Sequence, residues 1–502
     1  MKGLRLFLLA VGFVLLAGLL APGLGTGTAQ AATLKIDPQL RAAMANGEHA
    51  PFLLVLSEQA DLSGASRLAT KLEKGRFVLN ALQATASRTQ PAVQAELDRL
   101  GLSYQSYYIV NLLAVEDGTQ AVIEGLAARP DVARVESNAR ARMALPAPSD
   151  TRQPDLASVT GIPWGVRKIN APAVWSMGDR GSGIVYAGAD TGVMWKHPAL
   201  MKHYRGYAGG VVNHNYNWWD AVHHDVSGNG TNPCGFSSSK PCDDYGHGTH
   251  TMGTGIGDDG IGDRIGVAPG AKWIACRNME EGWGSPSQYI ECFQFFLAPW
   301  NLKMRLPNPD KNADVISNSW TCPPDEGCAA DTLQAAVEAE RAAGIFVVAS
   351  AGNSGYAGCS SITEPPALYE ASFTAGATDA QDNLAGFSSL GPITIDGSNR
   401  LKPDLSAPGV SVISSYYNGG YVTLSGTSMS APHIAGAVAL LWQARPKLRG
   451  HIDQTESALV QSAFTGVLSK SVCGGTSSQD IPNNLFGYGR LDILNAIKSV
   501  AP

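Results

Sequence analysis

The segment SGTSMSAPH, residues 425–433, places three serines and a threonine directly before IAGAVALLW, an apolar run that predicts a buried helix. Two explanations are open. Ser and Thr side chains accept hydrogen bonds from the free N–H groups of a first helical turn, and Pro is tolerated there. Alternatively, one hydroxyl is a nucleophile, held where the helix dipole and the free N–H groups stabilise developing negative charge. The segment alone leaves both open, so the decision depends on the rest of the chain.

Three other polar residues could take part in the same chemistry. Asp190 ends the apolar run GIVYAGAD, His247 lies in DDYGHGTHTMGTGIG, and Asn353 lies in VVASAGNSG. Taken singly, each has an ordinary role: Asp and Asn are common in turns, and a lone His is often packed or bound to metal. Together with a serine they supply a base-orienting carboxylate, an imidazole base, a nucleophile and an amide donor.

A metal site is the main alternative for the histidines, because His250 follows His247 by three residues. The sequence HGTH lacks the Glu that a zinc hydrolase needs beside its first His, and no acidic third ligand is evident. We therefore predict no catalytic metal, and we interpret His433, inside the apolar helix, as a structural core histidine.

Three apolar runs end in polar residues, namely residues 183–190, 314–320 and 344–353. The amphipathic segment TLQAAVEAERAAG lies between the last two and predicts a helix. Apolar strands joined by helices indicate a doubly wound, mostly parallel α/β sheet with helices on both faces. In such sheets ligands bind beyond the carboxyl ends of the strands, where these polar residues fall.

The N-terminal region has a different composition, since residues 32 to about 140 contain no Cys and no Trp. Strands are predicted over 51–56 and 107–115, and helices over 92–101 and 121–130. This pattern predicts a small α+β domain. The following segment ALPAPSDTRQPD is rich in Pro and polar residues and predicts an exposed linker.

The first residues are typical of a secretory signal. Lys2 and Arg5 precede a short apolar run that ends at AQA, so cleavage is expected after Ala31. A membrane anchor is the alternative, but the run is short and no second apolar run long enough to cross a bilayer follows it. We therefore predict a secreted, extracellular protein.

Export makes the eight cysteines informative, because an even number in an oxidising compartment favours disulfides. The sequence contains no C-x-x-C pair, the spacing that would indicate a metal site. Two pairs are close enough to close their own loops, and the other four cysteines leave two further candidate pairs. In that order the candidates are Cys234–Cys242, Cys322–Cys328, Cys276–Cys292 and Cys359–Cys473.

The net charge of −6 shows no basic surplus that would indicate a nucleic-acid partner.

The motifs ADTGV, GHGTHTMGT, ASAGNSG and SGTSMSAPHIAG resemble, in this order, the four signature blocks of subtilisin-like serine proteases. The segments GVAPGAKWIACRNM and LKPDLSAPGVSVISS are similar to the bacillopeptidase F branch of that family. The resemblance runs from about Trp164 to Ala496. Residues 50–140 resemble, less specifically, the inhibitory propeptide of the family.

The resemblance implies a role for each of the four residues. Ser428 is the expected nucleophile and His247 the general base that passes its proton to the leaving amine. Asp190 is expected to orient His247, and the Asn353 side chain with the Ser428 N–H to bind the oxyanion. Both explanations of the opening segment then apply, with Thr427 and Ser430 expected to cap the helix.

The resemblance also implies a primary specificity pocket with two walls. Where the family usually has Ser, an apolar residue and Gly, this chain has a branched Thr at the third position, which predicts a narrow pocket. The expected lining residues are Ser319, Trp320 and Thr321 on one wall, and Ala349, Ser350, Ala351 and Gly352 on the other.

The expected protein is therefore a secreted serine endopeptidase made as a self-maturing precursor. Its predicted parts are a signal peptide over 1–31, an inhibitory propeptide over 32–143, a linker with or near the maturation site over 144–158, and a catalytic domain over 159–502. Expected partners are protein or peptide substrates and its own propeptide, with no nucleic acid, no membrane after signal removal, and a monomeric state.

No cofactor is expected for the chemistry, although calcium is a common structural ion in the family. The sequence GDDGIGDR offers Asp258, Asp259 and Asp263 as ligands, and a solvated acidic loop is the preferred interpretation.

Three other functions are the alternatives to a serine endopeptidase. A peptide-binding protein with a dead site would lack one of the four residues, and none is missing. An esterase of the α/β-hydrolase class needs a G-x-S-x-G motif, which does not occur. Transfer of the acyl group to an amine, as in a transpeptidase, stays open.

Overall fold

The structure is a computed structural model that describes residues 34–45, 49–146, 159 and 161–501. The expected signal segment, residues 1–31, and residues 147–158 of the expected linker lie outside the described residues.

The N-terminal region forms a four-stranded antiparallel sheet with the strand order β2-β3-β1-β4. Its strands are β1 (Ala50–Leu56), β2 (Tyr104–Tyr107), β3 (Leu112–Gly118) and β4 (Val132–Ser137). Its helices are α1 (Pro38–Met44), α2 (Lys71–Thr89), α3 (Pro91–Leu100) and α4 (Gln120–Ala127). The predicted α+β unit is confirmed, but the sequence prediction did not include α2, although Thr70 and Glu73 form a capping box at its start.

The single strand predicted over 107–115 is wrong, because the chain reverses between β2 and β3. The apolar run continues through the reversal since Ile109 and Val110 are buried. The N–H groups of Tyr108 and Ile109 donate to Gln294 Oε1 of the larger unit at 2.6 and 3.1 Å. A contact distant in sequence thus explains why this turn is apolar.

Seven parallel strands form the sheet of the larger unit, in the order β15-β14-β13-β12-β6-β10-β9. They are β6 (Val185–Asp190), β9 (Trp218–Asp220), β10 (Lys272–Arg277), β12 (Val315–Asn318), β13 (Phe346–Ser350), β14 (Phe373–Thr378) and β15 (Leu405–Pro408). The chain builds on one side of β6 with β9 and β10 and on the other with β12 to β15. This reversal of direction creates a crevice at the carboxyl end of β6.

The remaining strands are short and pair two by two. They are β5 (Ala141–Arg142) with β11 (Trp283–Gly284), β7 (Tyr207–Ala208) with β8 (Val211–Val212), β16 (Val412–Ser415) with β17 (Tyr421–Leu424), and β18 (Val472–Cys473) with β19 (Thr476–Ser477).

Helices cover both faces of the large sheet, which confirms the predicted doubly wound α/β class. In β13, Phe346 and Val348 face the core beneath α8 and α11, whereas Val347 and Ala349 face the core beneath α9 and α10. The helices are α5 (Trp164–Lys168), α6 (Ala171–Trp175), α7 (Pro198–Met201), α8 (His247–Ile256), α9 (Pro286–Leu297), α10 (Gln334–Ala342), α11 (Thr427–Ala444), α12 (Ile452–Gln461) and α13 (Ile493–Ser499).

Helix α11 passes through the core of the larger unit. Every residue from Thr427 to Trp442 is buried, as the apolar run IAGAVALLW predicts for the greater part of the helix. The N-terminus of α11 lies at the crevice end of the sheet, because Ser430 Oγ donates to the carbonyl of Ala407 near the end of β15 at 2.9 Å.

The N-terminal unit packs β2 against α9 and α2 against α10, and residues of both units share one apolar core. Leu53, Val55 and Tyr107 of the small unit belong to the same buried cluster as Phe293 and Phe296 of α9. Tyr107 also donates a hydrogen bond through its hydroxyl to Glu291 Oε2 at 2.8 Å.

All four candidate disulfides are present, with Cα–Cα separations of 5.3–5.8 Å. The two longer-range pairs, Cys276–Cys292 and Cys359–Cys473, are formed as well as the two short loops. Within the described residues no helix combines the length and the apolar character that crossing a bilayer requires.

Candidate active site

Asp190 and His247 form a buried pair at the crevice. Asp190 is the last residue of β6 and His247 the first residue of α8. His247 Nδ1 lies 2.8 Å from Asp190 Oδ1 and 3.0 Å from Oδ2, and both side chains are almost completely buried. A proton on Nδ1 that is donated to the carboxylate leaves Nε2 with its lone pair, as a general base requires.

The carboxylate of Asp190 is held by other donors of the same unit. The Thr191 N–H donates to Oδ1 at 2.8 Å, and the Thr251 hydroxyl, one turn into α8, approaches Oδ2 at 3.3 Å. These bonds fix the carboxylate in the orientation that receives His247. They also satisfy a charge that would be costly to bury without partners.

Glycines allow α8 to start this close to β6. Gly246 caps the helix with a φ of 102°, a conformation that residues with a side chain rarely adopt. A Cβ on Gly248 would lie 2.1 Å from the carbonyl oxygen of Gly192. The small residues around His247 therefore bring its helix into contact with the loop after Asp190.

Ser428 is the second residue of α11 and is clamped to the end of β12. Its hydroxyl donates to the carbonyl of Ser319 at 2.9 Å, and the Ser319 hydroxyl donates to the carbonyl of Ser428 at 2.9 Å. Ser319 follows Asn318, which is paired with Ala189 in the sheet, so this clamp lies beside Asp190. Ser428 makes no hydrogen bond to His247 in this conformation, and His247 Nε2 is buried without a hydrogen-bond partner.

Asn353 is joined through its amide oxygen to Thr427, the residue before Ser428. Oδ1 accepts from the Thr427 N–H at 2.9 Å and from the Thr427 hydroxyl at 3.0 Å. Because the oxygen is occupied, the amide Nδ2 is the group left to donate. The lack of a side chain at Gly426 keeps the space beside it open, since a Cβ there would lie 3.5 Å from Nδ2.

The predicted capping by Thr427 and Ser430 is wrong. Helix α11 has no side-chain hydrogen bond at its N-cap, Gly426. The Thr427 hydroxyl binds Asn353 and the Ser430 hydroxyl binds a carbonyl of β15. The free N–H of Thr427 is satisfied instead by Asn353, from 74 residues away in sequence.

The structure thus brings a hydrogen-bonded Asp–His pair, a serine and an amide side chain to the same end of the sheet. The sequence model of the subtilase family matches residues 181–489, which make up more than half of the chain. The chain belongs to the subtilase family. Subtilases are serine endopeptidases that cleave peptide bonds by a Ser/His/Asp mechanism and need no catalytic cofactor.

Several relatives of this subtilase are similar over long stretches. Bacillopeptidase F of Bacillus subtilis (strain 168) is 34% identical over 499 residues, which cover 93% of this chain. The chain spans about a third of the length of that relative, 32%. Subtilisin BL of Lederbergia lenta is 31% identical over 315 residues, which cover 61% of this chain and 95% of subtilisin BL. Subtilisin DY of Bacillus licheniformis is 31% identical over 311 residues, with the same coverages.

The two expected pocket walls of this subtilase differ in how much of each side chain could meet a substrate. Trp320 is 1% exposed, stacks on Tyr289 at 4.1 Å between ring centroids, and donates through its indole to the carbonyl of Ala189. Any contact of Trp320 with substrate would therefore come from its backbone. On the opposite wall, Gly352 has a φ of 95° immediately before Asn353 and the other three residues are buried: Ala349, Ser350 and Ala351.

The Thr321 side chain contacts Glu364, a residue that the sequence analysis missed. Thr321 is 8% exposed, and its hydroxyl donates to Glu364 Oε2. Glu364 lies 43 residues later in the chain, and no local motif connects it with the pocket.

The side chains of His250 and Asp259, one from each candidate metal site of this subtilase, contact backbone groups. His250 is buried with Nε2 at 3.1 and 3.2 Å from the carbonyls of Val412 and Val422, and burial lowers its pKa to about 3. Asp259 Oδ1 accepts from the three N–H groups of residues 261–263.

Asp258 Oδ1 likewise accepts from the Gly260 N–H at 2.8 Å, so both carboxylates bind the backbone of their own loop. In the part of the chain that the structure describes, no three His, Cys, Asp or Glu side chains converge on a point suited to a metal.

A short segment that continues from the N-terminal unit lies in the crevice. Strand β5 pairs antiparallel with β11, and the Met143 N–H donates to the Gly282 carbonyl at 2.9 Å. The ring of Pro146 lies 2.8 Å from where a Cβ on Gly426 would be. The first residues of the expected linker, up to Pro146, therefore lie beside Gly426, the N-cap of the helix that carries Ser428.

Proposed function

We propose that this subtilase is a secreted serine endopeptidase synthesised as a precursor that cuts itself and hydrolyses protein substrates through an acyl-enzyme on Ser428. The observation that carries the proposal is the path of residues 141–146, which leads from the N-terminal unit along β11 to the nucleophile loop. A segment held in this way resembles a bound substrate strand, because it pairs through its backbone with the short strand β11 of the larger unit.

In the proposed first step, the Ser428 hydroxyl turns from the Ser319 carbonyl toward His247 Nε2. His247 accepts its proton as Oγ attacks the carbonyl carbon of the scissile bond. His247 then gives the proton to the leaving amine, and a water molecule, activated in the same way, hydrolyses the ester. Asp190 holds the tautomer and stabilises the imidazolium. The unpartnered, buried Nε2 supports this assignment.

The negative charge that develops on the carbonyl oxygen needs donors that are already in position. We assign this role to Asn353 Nδ2 and to the Ser428 N–H at the start of α11. Support comes from the two hydrogen bonds of Asn353 Oδ1 to Thr427, which fix the amide plane.

We assign residues 32–143 to an inhibitory propeptide, 144–158 to the linker that holds or adjoins the maturation site, and 159–502 to the catalytic domain. The shared core of the two units and the occupied crevice support inhibition by residues 32–143. Secretion is proposed from the expected signal over 1–31 and from the four disulfides, which persist in oxidising compartments.

The experiment is export of the full chain and of Ser428→Ala, followed by N-terminal sequencing. The unaltered chain is expected to lose everything before a cut within residues 144–158. The Ser428→Ala chain should begin at residue 32 and have no proteolytic activity. A fluorophosphonate should label Ser428 in the mature enzyme and no other serine.

Ser425→Ala is the matched control, because that hydroxyl only accepts from the Ser411 N–H at 2.8 Å. It should mature like the unaltered chain. Added mature enzyme should cut the Ser428→Ala precursor in the linker, which would show that the variant is folded. If purified Ser428→Ala matured without added enzyme, Ser428 would not be the nucleophile.

A further inference from the structure

Glu364 is fastened beside the end of β12 by two contacts. Its Oε2 accepts a hydrogen bond from the Thr321 hydroxyl, and the carbonyl of the next residue, Pro365, accepts from the Cys322 N–H at 2.7 Å. The Cys322–Cys328 disulfide restrains the same segment. The carboxylate is therefore held in a defined place rather than on a free loop.

That place is two residues along the chain from Ser319, the residue that holds Ser428. Ser319 exchanges hydrogen bonds with Ser428, and Thr321, which holds Glu364, is two residues further on. Two residues of extended chain span at most about 7 Å. Lys and Arg carry their cation at the end of three or four methylene groups, which matches a span of this order.

Glu364 has no positive partner among the described residues, since its one polar contact is the Thr321 hydroxyl. By contrast, Glu370, six residues later, pairs with Arg400 at 3.4 Å. The neighbouring Glu326 is buried, and its pKa is raised well above the usual value, chiefly by burial, with the charges of Asp325 and Glu364 adding to the effect. The surroundings of Glu364 thus contain further acidic groups, and no ion pair neutralises it.

We propose that Glu364 makes this subtilase select Lys or Arg immediately before the scissile bond. The proposal rests on the proposed function, because it concerns the specificity pocket of the same site. When a substrate covers the pocket, Glu364 loses water, and a cation offsets that cost whereas an apolar side chain does not. An acidic side chain is repelled. Thr321 acts as a positioning residue that holds the carboxylate.

The test uses mature enzyme whose active sites are counted by titration with a sulfonyl fluoride. Five peptide anilides, identical except for Lys, Arg, Phe, Leu or Glu before the scissile bond, are compared by kcat/KM. Lys and Arg are expected to exceed Phe and Leu by about ten-fold or more, and Glu to be the poorest. Raising the ionic strength should reduce the Lys-to-Leu ratio.

Glu364→Gln keeps the shape and a hydrogen-bond acceptor for Thr321 but removes the charge. It should lower the Lys-to-Leu ratio of kcat/KM by about ten-fold or more. Glu364→Lys should shift the preference toward Glu. Glu370→Gln, which removes a carboxylate that already has a partner and is 81% exposed, is the matched control and should leave the ratio unchanged.

The proposal would be overturned if the unaltered enzyme preferred Phe or Leu. It would also be overturned if Glu364→Gln lowered kcat/KM equally for all five peptides, because that is the signature of a structural role. An enzyme that titrates and cuts but shows the wrong preference contradicts this proposal alone. The absence of any titratable serine would instead contradict the proposed function.

Discussion

The crevice and the interface between the two units both bury charged groups, but they compensate them differently. At the crevice, Asp190 receives hydrogen bonds from Thr191, Thr251 and His247, all of the larger unit. At the interface, Glu340 of α10 is completely buried and neither of its carboxylate oxygens has a hydrogen-bond partner. The buried carboxylate of Asp190 is thus compensated within its own unit, whereas the buried carboxylate of Glu340 receives no hydrogen bond. This difference favours separation of the units after cleavage.

Lys71 of α2 is a second buried charge at the same interface, and it has partners in the larger unit. It is buried, binds Asn312, and lies 3.4 Å from Asp314 Oδ1, which also faces Arg449 at 2.8 Å. Burial lowers the pKa of Lys71 and raises that of Glu340 well above the usual value. Separation of the units therefore favours the charged forms of Lys71 and Glu340, because water then solvates both groups.

Asp190→Asn should have the largest effect on the compensated side of the comparison. The variant keeps the shape but no longer favours the productive tautomer and charge of His247. We expect kcat to fall by about 10⁴-fold, the size established for the equivalent change in another serine protease, and not a value taken from this geometry. Stopped assays on titrated enzyme would measure it, and a loss below ten-fold would contradict the role of Asp190.

Asn353→Ala should lower kcat by about 10²–10³-fold with a much smaller change in KM. This is the known size for the corresponding amide of subtilisin, so the measurement tests whether that role applies here. The substitution also leaves the Thr427 N–H without its acceptor. Asn353→Asp supplies that acceptor but no amide donor, and it should remain slow. An unchanged kcat in both variants would mean that other groups bind the oxyanion.

Glu340→Gln tests the uncompensated carboxylate at the interface through the pH dependence of inhibition by residues 32–143. The raised pKa means that the complex favours the protonated form of Glu340 up to a higher pH than water does, since a hydrated Glu ionises near about 4.3. The contribution of Glu340 to binding is complete below that value and is lost as pH rises toward the raised pKa. We expect residues 32–143 to inhibit the mature enzyme about ten-fold or more weakly at pH 7 than at pH 5.

The measurement is the inhibition constant from the onset of activity when cut precursor is diluted. Glu340→Gln should remove most of the pH dependence between pH 5 and pH 7. Glu338→Gln on the same helix is the matched control, because Glu338 is exposed and binds only Gln334. Lys71 acts in the opposite sense at higher pH. A Glu340→Gln complex with the unaltered pH profile would contradict the comparison.

Thr321→Gly should have the smallest effect. The branched side chain is expected to narrow the pocket, so large aromatic residues before the scissile bond should be poor substrates. Removing it should raise their kcat/KM by about ten-fold. Thr321→Val keeps the bulk but loses the bond to Glu364, which separates crowding from positioning. A clear preference of the unaltered enzyme for Phe or Tyr would contradict the narrow pocket.

The sequence alone was sufficient wherever the signal is local. The apolar run through Trp442 predicts a helix without a polar face, and α11 is buried throughout. Runs that end in Asp190 and Asn318 predict parallel strands, because side chains buried on both faces need continuous apolar sequence. The disulfide Cys322–Cys328 follows from a separation of only 6 residues.

The tertiary structure decided whatever depends on partners distant along the chain. The amide oxygen of Asn353, rather than a hydroxyl of the segment itself, caps Thr427. Trp320 points into the core, where Tyr289 provides a stacking surface. Glu364 meets Thr321 only because the fold brings together residues 43 positions apart. Spacing specifies which side chains share one element, but contacts between elements depend on how those elements pack, and no local pattern encodes that packing.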